Sequence, residues 1–283
     1  MENPNFRFDK VDILTCQGLE KAAAWADYIY HMAAVVGVFR VLSEPVNTLA
    51  VNIAGCERLL RAAHAGNWKP RIILASSSEV YGSTAVIPFH ENSELTIGSL
   101  KNLRWNYAYS KMANETFGIS YAHKFNIHVA IVRIFNTIGP RQTGRYGMVV
   151  PRFIEQAIHN KPITVFGNGS QTRCFCDVRD TVLALDKLIS NPESKGQIVN
   201  VGNDREISIK ELAELIRERA GSTSPIVYVP YEEAYGEEFQ EVYRRKPLLD
   251  KLYSLTNFKP RWKLEETIDD LIARARSFIG KEA

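Results

Sequence analysis

This sequence predicts a doubly wound parallel α/β sheet followed by a smaller α/β domain, and three observations support that prediction. Residues 27–31, 71–75 and 127–134 are short, near-continuous apolar runs, the pattern of strands covered on both faces. Long helical patterns separate them, over about 46–65 and about 107–123. Segments of that length, alternating strand and helix, imply right-handed crossovers lying on the faces of one sheet. Beyond residue 139 the pattern changes, because Gly139-Pro140, Gly144, Gly147, Pro151, Gly167 and Gly169 punctuate shorter elements. The chain is therefore divided into residues 1–139 and 140–283.

Each element has its own warrant. Asp27-Tyr28-Ile29-Tyr30-His31 forms the first clear strand; His31 at its end reads as a packed or capping residue. In the 46–65 helix, Leu49, Ile53, Cys56, Leu59, Leu60 and Ala63 fall on one face. Arg71-Ile72-Ile73-Leu74-Ala75 is the second strand, and the eight residues from Ile127 to Ile134 the third. Residues 163–166 and 198–201 read as short strands of the second half. Ser208-Ile209-Lys210-Glu211 is a capping box that opens a helix through about residue 220, and a last helix covers about 264–278. The helices at 46–65 and 107–123 carry apolar residues on more than one face, which fits either deeper burial or an interface.

Composition narrows the class. The chain has 283 residues, 35 basic and 32 acidic side chains, 45% hydrophobic and 24% charged residues, close to the globular average. The net charge of +3 is spread along the chain, so no nucleic-acid footprint is expected. The longest apolar run, Met32 to Phe39, falls far short of the roughly 20 residues a bilayer requires. Four cysteines without a secretory pattern point to free thiols in a reducing compartment, so a soluble, cytoplasmic protein is expected. Cys174 and Cys176 lack companions at zinc spacing and read as buried thiols, so no metal is expected.

The sharpest chemical signal is Tyr107-Ala108-Tyr109-Ser110-Lys111, which opens a helix. Residues four apart share a helix face, and an ammonium near a phenol favours the phenolate. A shift of about three units would need on the order of 4 kcal/mol and would make Tyr107 an acid/base for a substrate hydroxyl. A solvated lysine on an amphipathic helix is the competing reading. Upstream, Ala75-Ser76-Ser77-Ser78-Glu79-Val80-Tyr81-Gly82 follows a buried strand, where an open α/β sheet borders its ligand crevice. A turn or cap is the alternative for any one serine, and a surface ion pair for Glu79. Arg141-Gln142-Thr143-Gly144-Arg145-Tyr146-Gly147 reads as a solvated turn or as a lid over a bound nucleotide.

These segments occur in order with Arg133-Ile134-Phe135-Asn136-Thr137-Ile138-Gly139-Pro140-Arg141 and Val165-Phe166-Gly167-Asn168-Gly169-Ser170-Gln171-Thr172-Arg173. Together they resemble the extended short-chain dehydrogenases that act on nucleotide sugars: the 4-epimerases, 4,6-dehydratases and UDP-glucuronate decarboxylases. Arg104-Trp105-Asn106-Tyr107, Arg173-Cys174-Phe175-Cys176-Asp177-Val178-Arg179-Asp180, Tyr235-Gly236 and Arg244-Arg245-Lys246-Pro247 look closest to the decarboxylases. The resemblance implies a Rossmann-like sheet, NAD as cofactor, a UDP-linked sugar as substrate, and a homodimer paired through the helices at 46–65 and 107–123. It makes Tyr107 the base for the sugar 4-hydroxyl, Lys111 the residue that lowers its pKa and holds the nicotinamide ribose, and Ser77 a second partner of that hydroxyl. Ser78 and Glu79 match positions that handle the substrate carboxylate and proton transfer. Asn136 and Arg173 match substrate contacts, Phe166 a position against the nucleotide base, and Arg245 an arginine at the phosphate or carboxylate end. Asp12-Ile13, after an expected strand at Phe6-Arg7-Phe8, matches the adenine contact, and Ala33 and Asn52 match positions along the dinucleotide.

The family pattern begins with a Gly-x-x-Gly-x-x-Gly turn at a helix N-terminus, and this sequence contains no such motif. Alignment at Phe6-Arg7-Phe8 implies that about 50–60 residues, roughly the first βαβ unit, are absent. Two expectations follow. Either the chain is a nucleotide-sugar enzyme read from a late start, or it is a degenerate relative acting as a binding or assembly subunit.

Overall fold

A computed structural model describes residues 3–282 except 67, 85, 145, 146 and 236–239. α1 (Leu19–Trp25) leads into β1 (Tyr28–His31), followed by α2 (Val38–Ser43) and the long α3 (Pro45–Ala65). β2 (Arg71–Ser77), α4 (Asn106–Phe125), β3 (Val129–Ile134) and β4 (Thr137–Ile138) complete the first half. Next come α5 (Val149–Ile158), β5 (Ile163–Phe166), β6 (Thr172–Cys174), β7 (Cys176–Asp177) and α6 (Val178–Ser190). The remainder is β8 (Ile198–Val201), β9 (Glu206–Ser208), α7 (Ile209–Arg219), β10 (Ile226–Val229), α8 (Tyr231–Tyr235), β11 (Arg244–Arg245), α9 (Asp250–Thr256) and α10 (Leu264–Glu282).

The main sheet has strand order β1-β2-β3-β8, and each neighbouring pair is parallel. Its strands read as near-continuous apolar runs because both faces are covered. Ile72, Leu74 and Ile131 pack against Cys56, Leu60 and Ala63 of α3 and Ala122 of α4. Ile73, Ala130 and Val132 point the other way, onto Leu185 and Leu188 of α6 and Leu252 of α9. Each such fully buried aliphatic side chain contributes about 1.5–3 kcal/mol. Gly118 lets α4 lie close to β2, since a Cβ there would sit 2.9 Å from Leu74 Cδ2.

The second hydrophobic core gathers Phe153 and Ile154 of α5, Ile163 and Val165 of β5, Leu212 and Ile216 of α7, and Ile268 and Ile272 of α10. β5 pairs with β10, and β11-β6-β9 form a small mixed sheet. The expected capping box is formed: Glu211 N donates to Ser208 Oγ at 3.1 Å, and Ser208 N donates to Glu211 Oε2 at 2.9 Å.

Two expectations are corrected. Residues 6–8 form no strand; Phe6 and Phe8 are exposed, and the chain there makes no ladder. The predicted strand at 71–75 continues through Ser77, because Ser76 and Ser77 stay in register with Arg133 and Ile134 of β3. The main sheet also draws on residues beyond 139. β8 comes from there, pairs with β3 and buries Val199 and Val201 in the first core. β1 lies at the sheet edge, with Trp25, Tyr28 and Tyr30 exposed around it.

Candidate functional site

The site is built where β2 ends and α4 begins. Ser77, the last residue of β2, caps a 3-10 turn over Ser78–Tyr81, accepting from Glu79 N at 3.3 Å. That cap aims the Ser77 and Ser78 hydroxyls and the Glu79 carboxylate off the strand end. Just before α4, Asn102 accepts from Arg104 N at 3.1 Å and opens a short turn, and buried Trp105 anchors the helix start. Tyr107 thereby meets Ser77, and the two side chains share a hydrogen bond. Lys111, one turn further along, is buried; its Nζ donates to the Ala75 carbonyl at 2.7 Å and lies 5.8 Å from the Tyr107 ring centroid.

These groups open onto a cleft of about 330 Å³ lined by Ser77, Ser78, Glu79, Tyr107 and Lys111, and on its other side by Met32, Val36 and Val38. A second cavity of about 210 Å³ adjoins it, lined by Phe166, Gln171, Arg173, Tyr235 and Glu241. Glu79, Arg104, Asn136, Gln142 and Arg245 border both. Phe166 has the Arg152 guanidinium 4.1 Å from its ring centre and Tyr235 edge-on at 5.2 Å.

Charge is concentrated at the junction. Arg245 pairs closely with Glu79 Oε1, and Arg104 Nη1 lies 3.5 Å from Glu79 Oε2. Burial pushes the Glu79 carboxyl up, but Arg245 and then Arg104 outweigh it and bring it down to about 2. Arg173 pairs with Glu241 at 2.7 Å, and its pKa falls to about 10 through burial and the nearby Arg245. Burial lowers Lys111 to about 8, with Cys56 and Glu115 acting the other way. Burial raises the Tyr107 phenol, a shift that the Ser77 hydrogen bond opposes and the Glu79 charge reinforces. The expected lowering of Tyr107 by Lys111 is therefore absent here, because desolvation dominates and the ammonium is turned toward a backbone carbonyl.

The structure brings Tyr107, Lys111, Ser77, Ser78, Glu79, Asn136 and Arg245 to one cleft, and Phe166 and Arg173 to its neighbour. Four expected cofactor residues lie elsewhere. Asp12 caps its own turn, accepting from Leu14 N at 2.8 Å, and the Ile13 carbonyl accepts from Arg58. Ala33 is exposed beyond β1. Asn52 is buried behind the cleft, accepting from Val35 N at 2.7 Å and donating to Ser110 Oγ at 3.0 Å. Of the expected loop at 141–147, Gln142 and Gly147 line the cleft, while Arg145 and Tyr146 lie outside the described residues, as does Gly236. His31, Cys174 and Cys176 are buried, and among the described residues no group of three His, Cys, Asp or Glu could hold a metal.

Sequence reasoning missed Arg104, Glu241 and Gln171 as site residues. Arg104 and Gln171 stood inside quoted motifs without a role, whereas Glu241 sits in a loop with no pattern to mark it. The reacting end of a dinucleotide fits the cleft: Met32, Val36 and Val38 provide an apolar slot, and Tyr107 and Lys111 can bind ribose hydroxyls. The glycine-rich turn that would hold its diphosphate is not part of this sequence.

Comparison with known proteins agrees with this geometry. The family model described as NAD dependent epimerase/dehydratase family matches residues 2–202. A UDP-N-acetyl-alpha-D-glucosaminuronate decarboxylase of Bacillus cytotoxicus is 36% identical over 267 residues, covering 93% of this chain and 80% of that protein. UDP-glucuronic acid decarboxylase 1 of Xenopus tropicalis is 34% identical over 91% of this chain, which spans 58% of its length. A solved epimerase from Methanothermobacter thermautotrophicus superposes with a TM-score of 0.88 at 27% identity, covering all of this chain and 83% of that one.

Proposed function

The chain belongs to the NAD-dependent epimerase/dehydratase family, and from that premise we propose that it transiently oxidises C4 of a UDP-linked sugar, with uronate decarboxylation its reaction. NAD, the cofactor of the family, would lie with its reacting end against Met32, Val36 and Val38 and its ribose on Tyr107 and Lys111, and would supply the hydride exchange at C4. Tyr107 takes the proton of the 4-hydroxyl, which Ser77 also holds. Burial holds the Tyr107 phenol protonated as the site stands, so it becomes a base only when the Lys111 ammonium, 5.8 Å from its ring, turns to it from the Ala75 carbonyl. Oxidation at C4 makes a C6 carboxylate part of a β-keto acid. Its C5–C6 bond then breaks to release carbon dioxide, the electron pair passes into the ketone as an enolate, and C5 takes up a proton.

The observation that carries the decarboxylase reading is the Glu79 carboxylate held between Arg245 and Arg104 where the two cavities meet. Glu79 rests ionised, so it acts there as an acceptor and charge partner rather than as an acid. Arg173 and Phe166 line the adjoining cavity, where a diphosphate and a base would lie. The Bacillus and Xenopus relatives, both named as decarboxylases of UDP-uronates, support this branch. They give no support to the reading as an inactive binding subunit. We also assign the protein to the cytoplasm, in keeping with its free thiols, as a homodimer through α3 and α4, on which Val46 and Ile119 are exposed.

The test is incubation of the intact protein with NAD and a panel of UDP-uronates and neutral UDP-sugars, with products read by mass. Loss of carbon dioxide from a uronate supports the reading. An epimer of unchanged mass moves the assignment to a 4-epimerase. Absence of any turnover, together with absence of UDP binding, refutes both.

A further inference from the structure

A second buried charge cluster lies directly beneath the cleft. Glu115 sits on α4 four residues after Lys111 and eight after Tyr107, on the same helix face and about 6 and 12 Å along the axis. Its carboxylate is buried and fully engaged. Oε1 accepts from Ser76 Oγ at 2.6 Å and from Arg133 Nε at 2.9 Å, and Oε2 accepts from Arg133 Nη2 at 2.8 Å. Ser76 and Arg133 are partners across the β2–β3 ladder, and Ser76 immediately precedes Ser77. Arg133 is itself held by the Glu91 carbonyl at 3.1 Å and by the Tyr81 ring at 4.7 Å, while the Glu91 carboxylate accepts from Asn200 N of β8.

We propose that Glu115 is a positioning residue for the C4 oxidation: it locks the helix carrying Tyr107 and Lys111 to the strand ending in Ser77, and its charge keeps Lys111 an ammonium in the cleft. This rests on the function proposed above. The mechanical half follows from directionality. Apolar contacts between α4 and the sheet tolerate small slides, and a misplacement of about 1 Å at a reacting group costs about 100-fold in rate. Three charge-assisted hydrogen bonds from one helical residue to two adjacent strands fix both the rotation and the height of α4.

The electrostatic half follows from what surrounds Lys111. On α4 it faces Tyr107 and Glu115, on α3 Cys56, on β1 His31, and on β2 the Ala75 carbonyl. Burial holds the Cys56 thiol up at about 12 and His31 down at about 4, so both are neutral near pH 7. Among the described residues facing Lys111, Glu115 is therefore the one that brings a negative charge.

The test is competitive labelling of Lys111 by cyanate across pH in the cofactor-free protein, read by peptide mass, alongside kcat and KM of the intact enzyme. With Glu115→Gln, the Lys111 midpoint should drop by about one pH unit. The alkaline limb of kcat should drop with it, and kcat should fall by about 10- to 100-fold at unchanged KM. Ser76→Ala keeps the charge and loosens one bond, so it should lower kcat without moving the midpoint. Because Glu115→Gln strands a buried guanidinium, the double variant Glu115→Gln/Arg133→Gln provides the second arm. It should regain thermal stability while kcat stays low, and its Lys111 midpoint should lie between those of the wild type and Glu115→Gln, because the Arg133 cation leaves with the Glu115 anion. An unchanged midpoint in both, or a double variant that recovers stability, midpoint and kcat together, overturns the proposal. A lowered midpoint with unaltered kcat overturns its positioning half. Should the unmodified protein turn over no nucleotide sugar, the function proposed above fails by itself, and the labelling midpoint still decides the role of Glu115.

Discussion

Replacing Glu79 with glutamine isolates the charge arrangement on which the decarboxylase reading depends. In the folded site the Glu79 carboxyl moves from 4.5 to about 2, Arg245 and Arg104 overcoming the opposing effect of burial. That difference corresponds to about 3 kcal/mol in favour of the folded, ionised form. The Glu79 side chain is 24% exposed, which trims the expected loss to about 2–3 kcal/mol. The glutamine also leaves Arg245 and Arg104, both buried, without their carboxylate, which keeps the loss from falling lower. Because the folded pKa lies below the unfolded one, the stabilisation is complete above about pH 5 and fades as pH falls from 4.5 toward 2. Urea unfolding of wild type and Glu79→Gln should therefore differ by about 2–3 kcal/mol at pH 7, and by about 1 kcal/mol less at pH 3.5. In the same variant, UDP-uronate turnover should fall far more than UDP affinity. Equal stability at pH 7, or a gap that does not change with pH, would falsify the view that Glu79 is a partly buried anion between two cations.

Three further outcomes are expected. Tyr107→Phe should cut turnover by about 100- to 10,000-fold and shift the melting temperature by under about 4 °C, since it removes one hydrogen bond with Ser77; a retained rate would move the base elsewhere. Phe166→Ala should weaken UDP binding by about tenfold in calorimetry, because it deletes the aromatic ring between Arg152 and Tyr235, and undiminished binding would remove the base from this cavity. Gly82→Ala should destabilise the chain by about 2–3 kcal/mol in urea, because φ there is +59° and the new Cβ would run into the Thr96 carbonyl. A neutral result would mean that the turn presenting Ser78 and Glu79 adapts, against the rigid placement argued here.

Sequence alone determined the layers of this protein. Near-continuous apolar runs at 71–75 and 127–134 are the pattern of strands covered on both faces, and the Ser208–Glu211 box is the pattern of a helix start. It also brought Tyr107 and Lys111 to one helix face, because their spacing is a property of the helix itself. Tertiary structure decided what those residues face. β8 joins the first sheet from beyond residue 139 because pairing with β3 buries Val199 and Val201, which no local pattern announces. Lys111 turns to the Ala75 carbonyl, and burial rather than the ammonium governs Tyr107, because desolvation depends on every neighbour at once. Glu79 meets Arg245 across 166 residues of chain, and Glu115 meets Arg133 on another element. Periodicity records which way a side chain points from its own backbone; the partner it finds there is set by how the elements pack.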